Sequence, residues 1–275
     1  GKTPVAREVL ARLRAKGVAA HGLSRGYGGD QAGPLKVDPA VHPAADGGDE
    51  SLMLGGDGPF WIAHDRAAGA LAAVEAGAQA IVLDDGHQNP GLTKTLSVVV
   101  VDGETRGGEW PFGDGAIFPS GPLREPLAIG LARADAIVLM LASDVAEPDP
   151  ELMAVFGAKP LLIARLLPAA PPPPGPLVGF AGVGKPWKVE RSLKAAGARL
   201  FDFASYPDHA GFSEATLNFL EERASLFEAG LVTTEKDWVR LPPEWRAKVS
   251  MWPVKAVFED EAALERLLDA AVGSG

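Results

Sequence analysis

The chain has 275 residues, 47% hydrophobic and 23% charged, which is enough to bury the core of one large α/β domain or two smaller ones. A net charge of −10 argues against broad electrostatic binding of nucleic acid, and the lack of cysteine excludes a disulfide framework and any thiolate site. No uninterrupted apolar run approaches the ~20 residues that cross a bilayer.

The first residues, Gly1-Lys2-Thr3-Pro4, read as the end of a phosphate-binding loop of the form G-x-x-x-x-G-K-[ST]. Such a loop opens a helix, and Pro4 to Lys16 has helical spacing and stops at Gly17. A start without Met and inside a motif leads to the expectation that the natural N-terminus, with the loop's first glycines, lies upstream. A short strand is predicted at Val18 to Leu23, followed by a Gly- and Pro-rich stretch from Arg25 to Gly48 that is long enough to be a functional loop. An Ala-rich helix is expected from Asp65 to Ala76. Strands are expected at Ala78 to Leu83, Ser97 to Val101, Ala136 to Leu141 and Leu161 to Leu166. Continuous β-branched runs alternating with helices predict a mostly parallel sheet covered on both faces, an α/β fold.

Residues 168–176, Pro-Ala-Ala-Pro-Pro-Pro-Pro-Gly-Pro, form a stiff spacer between lobes expected at 1–167 and 177–275. The second lobe carries another α/β cycle, with strands at Leu177 to Phe180, Arg199 to Ala204 and Leu231 to Thr233. Its helices are expected at Pro186 to Ala196, Ser213 to Phe227 and Glu261 to Val272. A cleft between the lobes is the expected ligand site.

Several segments carry chemistry. Asp84-Asp85 ends an apolar strand, where an acid beside a phosphate loop holds magnesium; a strand-end turn is the structural alternative. The glycines of Ser24-Arg25-Gly26-Tyr27-Gly28-Gly29 permit close backbone approach, and Arg25 suits an anion. Asp49 reads first as a helix N-cap and second as a proton acceptor. Arg124 and Glu125 lie between Pro122 and Pro126, a rigid placement that suits phosphate recognition as well as a surface pair. His209, next to Asp208 on a strand-to-helix loop, has the most site-like setting of the five histidines, whereas His87 is ambiguous. Thr234 to Asp237 spells a capping box, with Lys236 as a weaker candidate for a phosphate contact.

In combination these segments resemble the tetraacyldisaccharide 4′-kinase family of lipid A synthesis in Gram-negative bacteria. The resemblance is carried in order by Gly-Lys-Thr-Pro at 1–4, Ser-Arg-Gly-Tyr-Gly-Gly at 24–29, Gly-Asp-Glu at 48–50 and Asp-Arg at 65–66. It continues through Asp-Asp-Gly-His-Gln at 84–88 and Phe-Pro-Ser-Gly-Pro-Leu-Arg-Glu-Pro at 118–126. Ala-Gly-Val-Gly-Lys-Pro at 181–186, Pro-Asp-His at 207–209 and Val-Thr-Thr-Glu-Lys-Asp at 232–237 complete it.

The resemblance implies a P-loop core lobe, a smaller α/β lobe that closes over the nucleotide, and transfer of the ATP γ-phosphate with Mg²⁺. The acceptor would be the 4′-hydroxyl of an acylated glucosamine disaccharide 1-phosphate. It implies nucleotide contacts from Gly1, Lys2 and Thr3, a metal shell from Thr3, Asp84 and Asp85, and Asp49 as general base with His209 as its partner. Arg25, Arg66, Arg124 and Glu125 would line the phosphate and substrate side. It also implies a peripheral protein on the cytoplasmic face of the inner membrane, held there mainly by an N-terminal amphipathic helix. Two positions depart from the family pattern: His87, where an apolar or aromatic residue is more usual, and Ala210, where a second His is common. A kinase or NTPase acting on a soluble molecule and a non-catalytic nucleotide-binding module are the competing readings.

Overall fold

The apolar stripe Val5, Leu10 and Leu13 forces the first segment into a helix, α1 (Lys2–Ala15), that lays this face on a sheet. Gly17, with φ +81°, supplies the left-handed residue that ends it. The computed structural model describes residues 1–273. After α1 come β1 (Ala20–Ser24), β2 (Leu35–Lys36), α2 (Ala44–Gly47), α3 (Asp49–Gly56), β3 (Phe60–Ile62), α4 (Arg66–Glu75) and β4 (Ala80–Leu83). The chain continues through β5 (Val98–Asp102), α5 (Leu127–Arg133), β6 (Ala136–Leu141), α6 (Pro150–Phe156) and β7 (Leu161–Pro168). Asp65 is the N-cap of α4, accepting from the amides of Ala67 and Ala68, worth about 1 kcal/mol.

One four-stranded sheet has the order β2-β3-β1-β4, parallel apart from the edge strand β2. β5, β6 and β7 are parallel neighbours in a second sheet. β4 and β5 each hydrogen-bond on one side only, and their valines are mostly half-buried against the core that α1 covers.

The Pro-rich stretch joins β7 to the second lobe. There β8 (Pro176–Ala181), α7 (Pro186–Ala195), β9 (Arg199–Ser205), α8 (Glu214–Ser225) and β10 (Gly230–Thr234) alternate. The short α9 (Glu235–Trp238) and α10 (Pro243–Arg246) then lead to β11 (Val249–Trp252). The strands form an all-parallel sheet in the order β11-β10-β8-β9, with its own core around Phe180, Leu217, Val232 and Trp252.

The expected extent of the second lobe, 177–275, differs from the structure at its end. β12 (Val254–Phe258) pairs antiparallel with β7 and completes the order β12-β7-β6-β5. α11 (Glu261–Gly273) then buries Leu264 and Leu268 in the core beside α1. Arg12 on α1 pairs with Glu265 at 2.8 Å, and Lys16 pairs with Asp269. Residues 254–273 therefore return to the first lobe. The segment's own period gives a strand and an amphipathic helix but not the sheet that receives them, because that is decided by the apolar groove left open beside β7 and α1.

Candidate functional site

Lys2 and Thr3 stand in the first turn of α1, where unpaired backbone N–H groups and the helix dipole favour an anion. The Lys2 ammonium bonds Asp85 Oδ1 at 2.7 Å, and Arg124 Nη1 bonds the other oxygen at 2.8 Å. Burial would raise this carboxyl, but those two cations hold it below the usual range. The fold brings residues 2, 85 and 124 to one point because β4 runs parallel to β1 and ends near the start of α1.

Asp84 is different. It is 4% exposed, and its Oδ2 has no hydrogen-bond partner. Burial, with Glu50 nearby, pushes it up to about 6, against the pull of Lys2 and the Thr3 hydroxyl. Asp85 has a left-handed backbone, φ +57°. Among the described residues no group of three or more His, Asp or Glu side chains could hold a metal. A divalent ion here would draw on Thr3, Asp84 and phosphate oxygens rather than on an all-protein cage, which suits magnesium. An orphaned buried carboxylate oxygen beside a threonine hydroxyl fits that use.

Asp49 begins α3 but is not its N-cap; Gly48 holds that position, and the Asp49 Oδ1 accepts from the Glu50 amide at 2.8 Å. The cap reading is thereby corrected. Gly48 has φ +80°, and a Cβ there would sit 2.2 Å from the Tyr27 carbonyl oxygen. A Cβ at Gly29 would sit 2.3 Å from the Asp46 carbonyl oxygen. The Arg25–Gly29 loop thus packs closely against the segment that leads into α3, and Gly29 is there for contact, whereas Gly28, with φ +82°, serves the backbone turn.

The other Asp49 oxygen, Oδ2, faces two side chains of the second lobe: His209 Nδ1 at 3.3 Å and Arg240 Nε at 3.3 Å. His209 has φ +58° and stacks edge-on to Tyr27, ring centres 5.7 Å apart. Lys236 lies 3.3 Å from His209 Nε2, 3.4 Å from Glu50 and 3.6 Å from Asp208. The predicted capping box is present: Thr234 accepts from the Asp237 amide and donates to Asp237 Oδ2 at 2.6 Å. Glu50 is close enough to the Lys2–Thr3–Asp84 cluster to raise Asp84, so the two groups of residues share one neighbourhood.

The remaining candidates divide. Arg66 is buried, bonds the Ala63 carbonyl oxygen and leaves its Nε unpaired. Burial and Arg25 lower its pKa. Arg25 is exposed nearby. Glu125 points elsewhere: both its oxygens bond Arg133, at 2.6 and 2.7 Å, and Gln88 adds 3.0 Å. His87 bridges the Ser97 hydroxyl and the Gly130 carbonyl, a structural tie that fixes its ring.

Two residues escaped the sequence reading, Arg240 and Arg7. Arg240 follows Lys236 by four, just past the end of α9, and a charge at that place carries no separate signal. Arg7, on α1, grips both oxygens of Glu235 on α9, at 2.7 and 2.8 Å. Both partners are largely shielded, so Arg7→Ala should lower stability by about 1–3 kcal/mol and Tm by several degrees. An unchanged melting curve would show that the pair contributes nothing net.

A family model described as tetraacyldisaccharide-1-P 4′-kinase matches residues 1–273. A tetraacyldisaccharide 4′-kinase of Caulobacter vibrioides is 65% identical over 268 residues, 98% of this chain and 80% of the relative. One from Maricaulis maris is 50% identical over 98% of this chain and 78% of its own length. The crystal structure of LpxK from Aquifex aeolicus in complex with ATP superposes with a TM-score of 0.74 at 25% identity, covering 99% of this chain and 84% of that one. With a matching family model over nearly its whole length, the chain belongs to the tetraacyldisaccharide-1-phosphate 4′-kinase family.

Proposed function

We propose that this protein transfers the γ-phosphate of ATP to the 4′-hydroxyl of a tetraacyldisaccharide 1-phosphate, with Asp49 taking the proton. The observation that carries the reading is the meeting of Asp49, at the start of α3, with His209 of the second lobe, 3.3 Å apart. Phosphoryl transfer needs positioning and neutralisation of charge more than covalent help. Lys2, Thr3 and the first turn of α1 receive the β- and γ-phosphates. Arg124, with Arg25 and Arg66 close by, adds positive charge on the acceptor side. Thr3 and Asp84 would hold a magnesium ion, which would supply neutralisation of phosphate charge. Asp85 is tied to Lys2 and Arg124 and fixes where both cations point.

The acceptor is an ordinary alcohol, so Asp49 takes its proton late in the transfer, and His209 orients the carboxylate. His209 belongs to the second lobe, so the pair is complete only when the lobes meet. That dependence disfavours idle hydrolysis of ATP. Tyr27, 75% exposed and edge-on to His209, offers apolar rim beside this site, as acyl chains require. No helix among the described residues is long and apolar enough to cross a membrane, and we place the protein peripherally at the inner-membrane surface where such a lipid resides.

The test is ATP turnover with and without the acylated disaccharide 1-phosphate. Lipid-stimulated turnover with label appearing in the lipid is expected. Equal turnover without lipid would point to a soluble-substrate enzyme, and binding without turnover would point to a regulatory module.

A further inference from the structure

Asp49 is almost fully buried, and its Oδ2 makes no well-formed hydrogen bond. Removing a carboxylate oxygen from water costs several kcal/mol unless charge opposite in sign stands close. The two side chains facing it lie equally close, at 3.3 Å, and the better-buried is not His209, whose side chain is 37% exposed, but Arg240, at 10%. Arg240 is also a permanent cation, whereas His209 carries charge only when protonated.

We propose that Arg240 is a positioning residue that aims the Asp49 carboxylate and sets the His209 loop in one arrangement. The proposal rests on reading Asp49 as the proton acceptor. The guanidinium is held by second-lobe groups: Nη1 donates to the Ala210 carbonyl at 3.0 Å, and Nη2 donates to the Gly182 carbonyl at 3.0 Å and to Asp237 Oδ1 at 2.7 Å. Its Nε–H donates to the Lys236 carbonyl at 3.2 Å. Phe212 lies under the group, 6.0 Å from ring centre to guanidinium carbon.

Three of those partners set the neighbours of Asp49. Ala210 follows His209 directly, and the Gly182 carbonyl also accepts from the His209 amide at 3.2 Å. Asp237, fully buried, accepts from the Gly182 amide at 3.1 Å and so anchors both the arginine and that loop. One side chain thus joins the 182 loop, the 209–210 turn and α9, and presents a fixed charge to a carboxylate on the other lobe. Because the Nε proton is committed to Lys236, Arg240 attracts Asp49 Oδ2 without occupying its lone pair. The oxygen is steered and remains open to take a proton. A lysine reproduces the charge but not the fork that holds both loops.

The experiment is a pair of mutant cycles, Arg240→Gln and Arg240→Lys, each made alone and with Asp49→Asn, measured as kcat and ATP KM on the acylated disaccharide 1-phosphate. Arg240→Gln is expected to lower kcat about 50-fold with ATP KM within about threefold, since the group acts on Asp49 and not on nucleotide. Arg240→Lys should recover part of that loss. In the Asp49→Asn background either change should alter residual turnover less than about twofold. An equal loss in both backgrounds, a loss confined to KM, or kcat near that of the parent would overturn the proposal. If Arg240→Gln melts too low to assay, the Arg240→Lys cycle decides on the same criteria. Asp49→Asn alone separates the two ideas: full activity there removes Asp49 as acceptor, while the cycles report on Arg240.

Discussion

Asp49→Ala should lower kcat by about 10³-fold at saturating ATP and lipid, while KM for ATP should stay within a few-fold of the parent. General-base assistance typically contributes between about 10² and 10⁴. The upper range is expected where the carboxylate is buried and aimed, as it is here between His209 and Arg240. Nucleotide affinity should survive, because on the proposed reading the phosphate contacts come from the start of α1, not from α3. His209→Ala should cost less, about 10- to 100-fold, since it orients the acceptor and takes no part in bonding to phosphate. The pair should also be non-additive: once Asp49 is gone, His209 has nothing to orient. Initial rates for the two single variants and the double variant settle this. Near-parental kcat in both single variants removes the pair from the mechanism, and strict additivity in the double variant would separate the two residues.

Much of this site was legible in the chain before its fold was known, for a physical reason. Lys2-Thr3 and Gly48-Asp49 sit at helix starts and Asp84-Asp85 at the end of a strand, where turn chemistry leaves a local trace. Their meeting follows from parallel strands, which deliver every strand end to the same edge. Asp49 was harder, because an aspartate at a helix start is usually a cap, and only its position one residue inside α3 separates the two uses. Arg240 and Arg7 left no trace, since their partners lie on other elements and nothing local distinguishes them from surface arginines. The return of β12 and α11 to the first lobe was missed likewise: an amphipathic pattern records that a face will be buried, not against what. Glu125 stands in a rigid Pro-bracketed setting that suits either phosphate recognition or a surface pair, and its carboxylate pairs with Arg133.

Asp84→Asn should make the nucleotide-free protein more stable and at the same time remove its response to magnesium. The Asp84 carboxyl is raised from 3.8 to about 6, chiefly by burial. Between those two values the folded chain binds more protons than the unfolded one, so stability falls as pH rises from about 4 to about 6 and stays reduced above it. A shift of about two units corresponds to roughly 3 kcal/mol at pH 7, an upper bound on what a neutral side chain of the same shape recovers. Part of that is lost because the asparagine amide needs its own partners, so a gain of about 1–2 kcal/mol is expected, or a few degrees in Tm. The parent's decline in stability between pH 4 and 6 should flatten in the variant. Addition of Mg²⁺ with ATP should raise the Tm of the parent, since charge neutralisation removes the strain on the carboxylate, and should raise that of the variant far less. Turnover of the variant should fall at least about 10²-fold, because the phosphates lose the cation that Asp84 helps to hold. Thermal melts across pH, with and without Mg²⁺ and ATP, measure both halves. A variant no more stable than the parent would mean that Asp84 is solvated or paired in solution. An unchanged Mg²⁺–ATP shift would mean that the metal is held without it. The two failures are independent: instability at Asp84 is a property of the folded chain alone, and only its relief by cation ties that burial to the transfer of phosphate.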